Sequence, residues 1–307
     1  MIRIRLGSFS NSLVDAVARH AGMYRDERLE VEFCRVFNSP SQFEKLALGE
    51  VDVVLTATDN VLNYRHNGAS HNGVRLDVRI VRAVELGGGV SLVAARTVTS
   101  VRDLHGALIA VDATDSGFAL LLYELLAQAG MVRGQDYRVV AFGGTPRRFE
   151  GLIHGDFDAT MLNAGFDLRA ADRGFPVLKT VSEVLPDYIA TVIAALPCWL
   201  EKESAAGAFL RAWDRATSFA LDRDNSEICV DIVKEQSAVS AKLAARMYQQ
   251  AVHPQFGLVP GGQVSRSGVS SVADVRRRHG LLDGDVDIAA ALREPIGIID
   301  RRYARVV

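Results

Sequence analysis

Between Leu108 and Asp158 the chain uses one device twice: an apolar strand, a turn of small polar residues, then a helix. Leu108-Ile-Ala-Val-Asp112 leads into Asp115-Ser-Gly117 and an apolar helix; Asp136-Tyr-Arg-Val-Val-Ala-Phe142 leads into Gly143-Gly-Thr-Pro146 and a second helix. Strand and helix alternating nearly throughout the chain predict an α/β sheet fold. Both turns then lie at the carboxyl ends of strands and open onto helix N-termini, where unpaired N–H groups and the positive end of the helix dipole collect. In open α/β sheets ligands enter the crevice outside those strand ends. Either turn alone reads equally well as an ordinary βα connection; two within one repeating pattern favour a ligand cleft.

The same logic runs through the rest of the chain. Residues 2–6 alternate as a strand, 13–24 carry a helical apolar face, and 29–37 form a second strand. Ser39-Pro-Ser41 opens a helix closed by Gly49, and 51–56 is a buried strand that delivers Ala57-Thr-Asp-Asn60. Residues 78–84 form another strand before Gly87-Gly-Gly89 interrupts the pattern. "Gly-Glu-Val-Asp-Val-Val-Leu" at 49–55 and "Gly-Asp-Phe-Asp-Ala-Thr-Met-Leu" at 155–162 are one device used in two related lobes. This predicts a first part of lobe 1 over 1–87, lobe 2 over 88–189, and a return to lobe 1 over 190–307. That last part holds a strand at 189–196, a strongly amphipathic helix over Glu203–Leu221, and helices at 226–234, 240–251 and 272–279, read as a helical cap on lobe 1.

Charge and composition narrow the function. A formal charge of −2 without long charged blocks argues against nucleic-acid or membrane-surface partners. Cys34, Cys198 and Cys229 are widely spaced and match no metal or redox pattern; they read as buried, inert thiols. No cofactor motif is evident: the three glycines at 87–89 are not followed by the Lys-Ser/Thr of a phosphate loop. Met1 opens directly on a strand, with no basic stretch followed by an apolar one, so the expected location is the cytoplasm, or the periplasm where a leader has been removed. No run is long enough to insert in a membrane.

These segments, in their order and spacing over about residues 2–220, resemble the type II periplasmic-binding-protein fold. The similar branch holds nitrate-, taurine- and aliphatic-sulfonate-binding proteins and the thiamine-pyrimidine-synthase-like (NMT1/THI5-like) domain. The carriers are the first helix with Gly22, the stretch Phe43–Asp52, the turn Thr56-Ala-Thr-Asp59, the lead-in Val101–Val111, and the segment Gly144–Asp158. The resemblance implies two lobes closing on a ligand, with a cleft lined by Ser8, Phe9, Ser10 and Asn11; Ser39 with Pro40; Thr56, Thr58, Asp59 and Asn60; Asp115, Ser116 and Gly117 with Gly144 and Thr145; and Asn163 with Phe166 and Asp167. Hydroxyls and amides dominate, suited to a small polar, anionic or aromatic ligand whose apolar body would rest on Phe9 and Phe166. Arg147 and Arg148 read as a solvated pair in a first helical turn, or as charges for an anion; Asp59 and Asp167 as helix caps, or as contacts to an amine or ring nitrogen.

The implied function is a solute-binding protein, partnered by an ABC permease if exported. The alternative is a cytoplasmic enzyme on the same fold, of desulfinase, decarboxylase, dehydratase or pyrimidine-synthase type, and a third reading is a ligand sensor. Desulfinase-like members carry a nucleophilic cysteine in the first loop; here that loop is Ser8-Phe-Ser-Asn-Ser12, and the iron-binding cysteine stretch of yeast-type pyrimidine synthases is absent. His66 and His71 are the histidines expected nearest the cleft mouth, and read chiefly as surface-loop residues.

Overall fold

The alternation of apolar and basic residues at the amino terminus becomes β1 (Ile2–Ser8), with Ile4 and Leu6 buried and Arg3 and Arg5 paired to Glu32 and Asp52. The computed structural model describes residues 1–67, 75–282, 286–288, 299–300, 302–303 and 305–307. After β1 the helix expected over 13–24 divides into α1 (Leu13–His20) and α2 (Met23–Asp26). The break is Gly22, whose φ of 70° is left-handed and free of Cβ clash only for glycine. β2 (Leu29–Arg35), α3 (Ser39–Ala47), β3 (Val53–Ala57) and α4 (Thr58–His66) follow, and β4 (Arg79–Leu86) leads through Gly87–Gly89 into β5 (Ser91–Ala94). The second lobe continues as β6 (Leu108–Val111), α5 (Gly117–Gln128), β7 (Arg138–Ala141), α6 (Thr145–His154), β8 (Ala159–Leu162), α7 (Phe166–Asp172) and β9 (Val177–Thr180), and β10 (Ile189–Ala195) returns to the first.

The two sheets share one plan. Lobe 1 orders its strands β2-β1-β3-β10-β4 and lobe 2 orders them β7-β6-β8-β5-β9. In each, three parallel strands carry the βα turns, and the fourth position is an antiparallel strand arriving from the other half of the chain. The lobes are therefore joined by two crossovers, β4 to β5 and β9 to β10.

The remaining helices are α8 (Pro197–Leu200), α9 (Glu203–Leu221), α10 (Ser226–Ser237), α11 (Ala241–Ala251) and α12 (Arg266–Arg278). α9 buries Phe209, Trp213, Ala216 and Ala220 against α1. The cap expected on lobe 1 does rest there, but it also reaches lobe 2: α11 packs on α7, and α12 packs on α4, α5 and β10. α12 begins at Arg266, well before the expected 272, with the Ser265 hydroxyl accepting the Gly268 N–H at 3.2 Å. One apolar core runs from lobe 1 (Val54, Ile80) through Val269 and Val272 of α12 into lobe 2 (Ile109, Leu122). Cys229 is buried and Cys34 half-buried, but Cys198 is exposed, because the single turn of α8 leaves its second residue at the surface. Among the described residues no helix is long and apolar enough to cross a membrane.

Candidate functional site

The N-termini of α1, α3 and α4 from lobe 1 and of α5, α6 and α7 from lobe 2 follow directly from the strands of the two sheets. The lobes are in contact along this line. A Cβ on Gly117, the first residue of α5, would stand 2.7 Å from the Cβ of Asp59 at the start of α4, so only glycine permits this approach. A Cβ on Gly144, which precedes α6, would stand 3.6 Å from the carbonyl oxygen of Phe37.

On the lobe 1 side the Ser8 hydroxyl is buried and donates to the Ser10 carbonyl at 2.8 Å, Phe9 and Ser10 are half-buried, and Asn11 is exposed. Ser39 lies half-buried in the first turn of α3. Behind it Gln42 donates to the carbonyls of Gly7 and Leu55, at 3.1 and 3.0 Å, while its own Oε1 has no partner. Asn60 donates to Thr56 Oγ1 at 3.1 Å, and the buried Thr58 hydroxyl has no partner. Asp59 is taken up by an arginine from far along the chain: Arg276 Nη1 reaches its two carboxylate oxygens at 2.8 and 2.9 Å, and both side chains are all but completely buried. Burial nevertheless holds the Asp59 carboxyl above the ordinary range against the pull of Arg276.

On the lobe 2 side Asp115 is exposed and Ser116 caps α5, its Oγ accepting the Ala119 N–H at 3.2 Å and donating to Asp112. Gly144 gives α6 no side-chain cap, so its first-turn N–H groups lack that partner. Thr145 and Asn163 form a fixed pair. Arg148 donates to Thr145 Oγ1 at 3.2 Å, and the threonine passes its own hydrogen to Asn163 Oδ1 at 2.6 Å. This orientation turns the Asn163 NH2 group away from Thr145 as a donor. Phe166 packs edge-on against Phe149, with the Arg169 guanidinium 4.8 Å from its ring centre.

Arg148 departs from the solvated role expected for it: only Arg147 is exposed. The Arg148 guanidinium is fully buried and donates only to neutral oxygens, those of Met161, Gly143 and Thr145. Burial lowers its pKa, opposed by the nearby Asp112 charge. Its place was readable from helix geometry, since Arg148 shares a face with buried Leu152 four residues on. Asp167, at the second position of α7, is likewise buried; Gln250 of α11 donates to its Oδ2 at 2.7 Å and Ser91 at 3.3 Å. Nothing local marks Arg276 as the partner of Asp59 or Gln250 as the partner of Asp167. His66 closes α4, at the end opposite Thr58, with its pKa lowered to about 4 by burial; His71 lies outside the described residues.

Two open hollows of about 420 and 500 Å³ lie elsewhere, around Ser226, Asp231 and Gln249, and around Met23, Asp214 and Arg305. Neither contains a converging set of helix N-termini, so the interlobe line is the better candidate.

The model of the family described as NMT1/THI5 like matches residues 10–226, well over half of the chain. The chain belongs to the NMT1/THI5 like family. Solved structures similar to this family member share its type II periplasmic-binding-protein fold. The alkanesulfonate-binding protein SsuA from Xanthomonas axonopodis pv. citri, bound to MOPS, is 17% identical, over 94% of this chain and 97% of that one, with a TM-score of 0.76. The periplasmic nitrate-binding protein NrtA from Synechocystis PCC 6803 is 16% identical over 96% and 87%, with a TM-score of 0.78. A conserved Candida albicans gene product with the generic periplasmic binding protein fold is 14% identical over 94% of each chain, with a TM-score of 0.72. No curated protein matches the chain.

Proposed function

We propose that this NMT1/THI5-like chain is a solute-binding protein that holds one small polar ligand between its lobes and closes on it by rotation about the two crossovers. The observation that carries this reading is the distribution of unpaired polar atoms. Of the five buried side-chain atoms without a hydrogen-bond partner among the described residues, three belong to interlobe helix starts: Gln42 Oε1 on α3, Thr58 Oγ1 on α4 and Asp167 Oδ1 on α7. A buried polar group left unpaired costs about 1–3 kcal/mol, so such atoms collect where a ligand or bound water completes them. Thr145, Asn163 and Ser116 are the lobe 2 contacts in this proposal, and Phe9 and Phe166 the apolar ones. The similar proteins named for alkanesulfonate and nitrate support the class of activity; the ligand of this chain is a separate matter, because one fold serves many ligands. If the mature protein is exported, its macromolecular partner is an ABC permease.

The test uses the small molecule released from protein purified from its own host. Thr145→Val and Ser116→Val are each expected to weaken its binding by about 1–3 kcal/mol. Ser116→Val also removes the α5 cap, at about 1 kcal/mol of stability, so affinity is read well below the melting temperature of either variant. Unchanged affinity in both variants would sink the proposed site.

A further inference from the structure

The hinge side of the interlobe line is acidic, and the acids come from both lobes. Glu85 lies near the end of β4, directly before the first crossover, and pairs across the sheet with Thr191 of β10, just after the second. The Thr191 hydroxyl is its hydrogen-bond partner. Asp167 comes from lobe 2. Its Oδ2 is held by Gln250 and Ser91, while Oδ1 has no partner although only 2% of the residue is exposed. Ser91 begins β5 on the far side of the crossover from Glu85, so the group surrounds the hinge. Burial pushes both carboxyls upward, Glu85 to about 7, and the Asp167 charge adds to the rise at Glu85. Among the described residues neither has an arginine, lysine or histidine in ion-pair contact. The contrast with Asp59, as buried as Asp167 but neutralised by Arg276, is direct.

Paired carboxylates in a dehydrated site are stable when they share a proton or a cation. Here every fixed partner is a neutral donor that leaves acceptor capacity on Asp167. From this we infer that the hinge end of the cleft binds a positively charged amino group of the ligand, bridging Asp167 of lobe 2 and Glu85 of lobe 1. The inference rests on the solute-binding reading above and specifies its ligand class as an amine. An ammonium group offers three donors to the two acids and links ligand binding to closure, because it attracts both lobes at once. A sulfonate or nitrate at this end would face two carboxylates.

Ethylammonium chloride and sodium ethanesulfonate, alike in carbon skeleton and opposite in charge, form the test pair. Each is titrated at constant ionic strength into the isotope-labelled chain and followed by amide NMR. Ethylammonium is expected to shift the signals of Ser91, Asp167, Leu168 and Gln250 saturably. Its affinity should fall about tenfold or more in Asp167→Asn and in Glu85→Gln, the loss expected for one charge-assisted contact. Both substitutions keep the side-chain shape and remove a charge that has no ion-pair partner, so folding is retained, as melting curves would verify. The amine site is overturned if ethylammonium leaves these signals unmoved, if its shifts survive both substitutions, or if ethanesulfonate moves the same signals saturably. The cleft itself is scored separately, by the shifts that the host-derived molecule causes at Ser116 and Thr145. Shifts there with none from ethylammonium reject the amine site alone; none there rejects the solute-binding reading.

Discussion

Replacing Arg276 with methionine is expected to lower the unfolding free energy by about 3–5 kcal/mol, the range for removing one partner of a buried ion pair. The side chain meets Asp59 through both carboxylate oxygens, gives Nη2 to Asn63 Oδ1 at 2.6 Å and gives Nε to the Leu281 carbonyl at 3.1 Å. Without it the Asp59 carboxylate is sealed against Gly117 with no counter-charge. The pKa of Asp59, already raised by burial, then rises further. The folded variant would bind more protons than its unfolded form, so it loses stability as pH rises above the ordinary carboxylate range and regains it on acidification. Adding Asp59→Asn should recover most of the loss, because the unpaired charge is then gone. Urea denaturation of the two single variants and the double variant reads all of this. A single-variant loss below about 1 kcal/mol would mean that the pair is solvated and that α12 does not tie α4 down.

Trp213→Ala is expected to cost about 3–5 kcal/mol. Trp213 is 1% exposed on the face of α9 that packs on α1, with its ring 5.8 Å from that of Phe209, which in turn meets Trp199 edge-on. The hole left by the indole is bounded by sheet and helix backbones that cannot collapse into it. Denaturation followed by circular dichroism is the appropriate readout, because the substitution removes one of the chain's two tryptophans and alters fluorescence directly. A near-neutral result would place this face of α9 outside the core.

What could be read in advance follows the range of each signal. The helix over Glu203–Leu221 was legible to the residue, because nineteen residues of unbroken apolar period outweigh any local ambiguity. The βα turns at Ser116 and Gly144 were legible because turn chemistry is local. The start of α12 was not: Arg266-Ser-Gly-Val-Ser-Ser has weak helix propensity and is held by the Ser265 cap and by packing on lobe 2. The alternation predicted two lobes, but it could not place β10 between β3 and β4, since strand order depends on contacts between distant segments. The same limit applies within the site. Thr145 and Asn163 belong to turns the pattern singles out, whereas Arg276 meets Asp59 across 217 positions and Gln250 meets Asp167 across 83, distances over which a single sequence carries no pairing signal.

Closure of the two lobes on a small molecule is best tested by native mass spectrometry of the chain purified gently from its own host. The expected mass exceeds that of the polypeptide by one small ligand, released on denaturation and depleted in Thr145→Val. The ligand is expected to be recovered unaltered after incubation. A mass equal to the bare polypeptide across gentle preparations would contradict ligand capture, and a bound molecule that turns over with time would replace the binding protein with an enzyme.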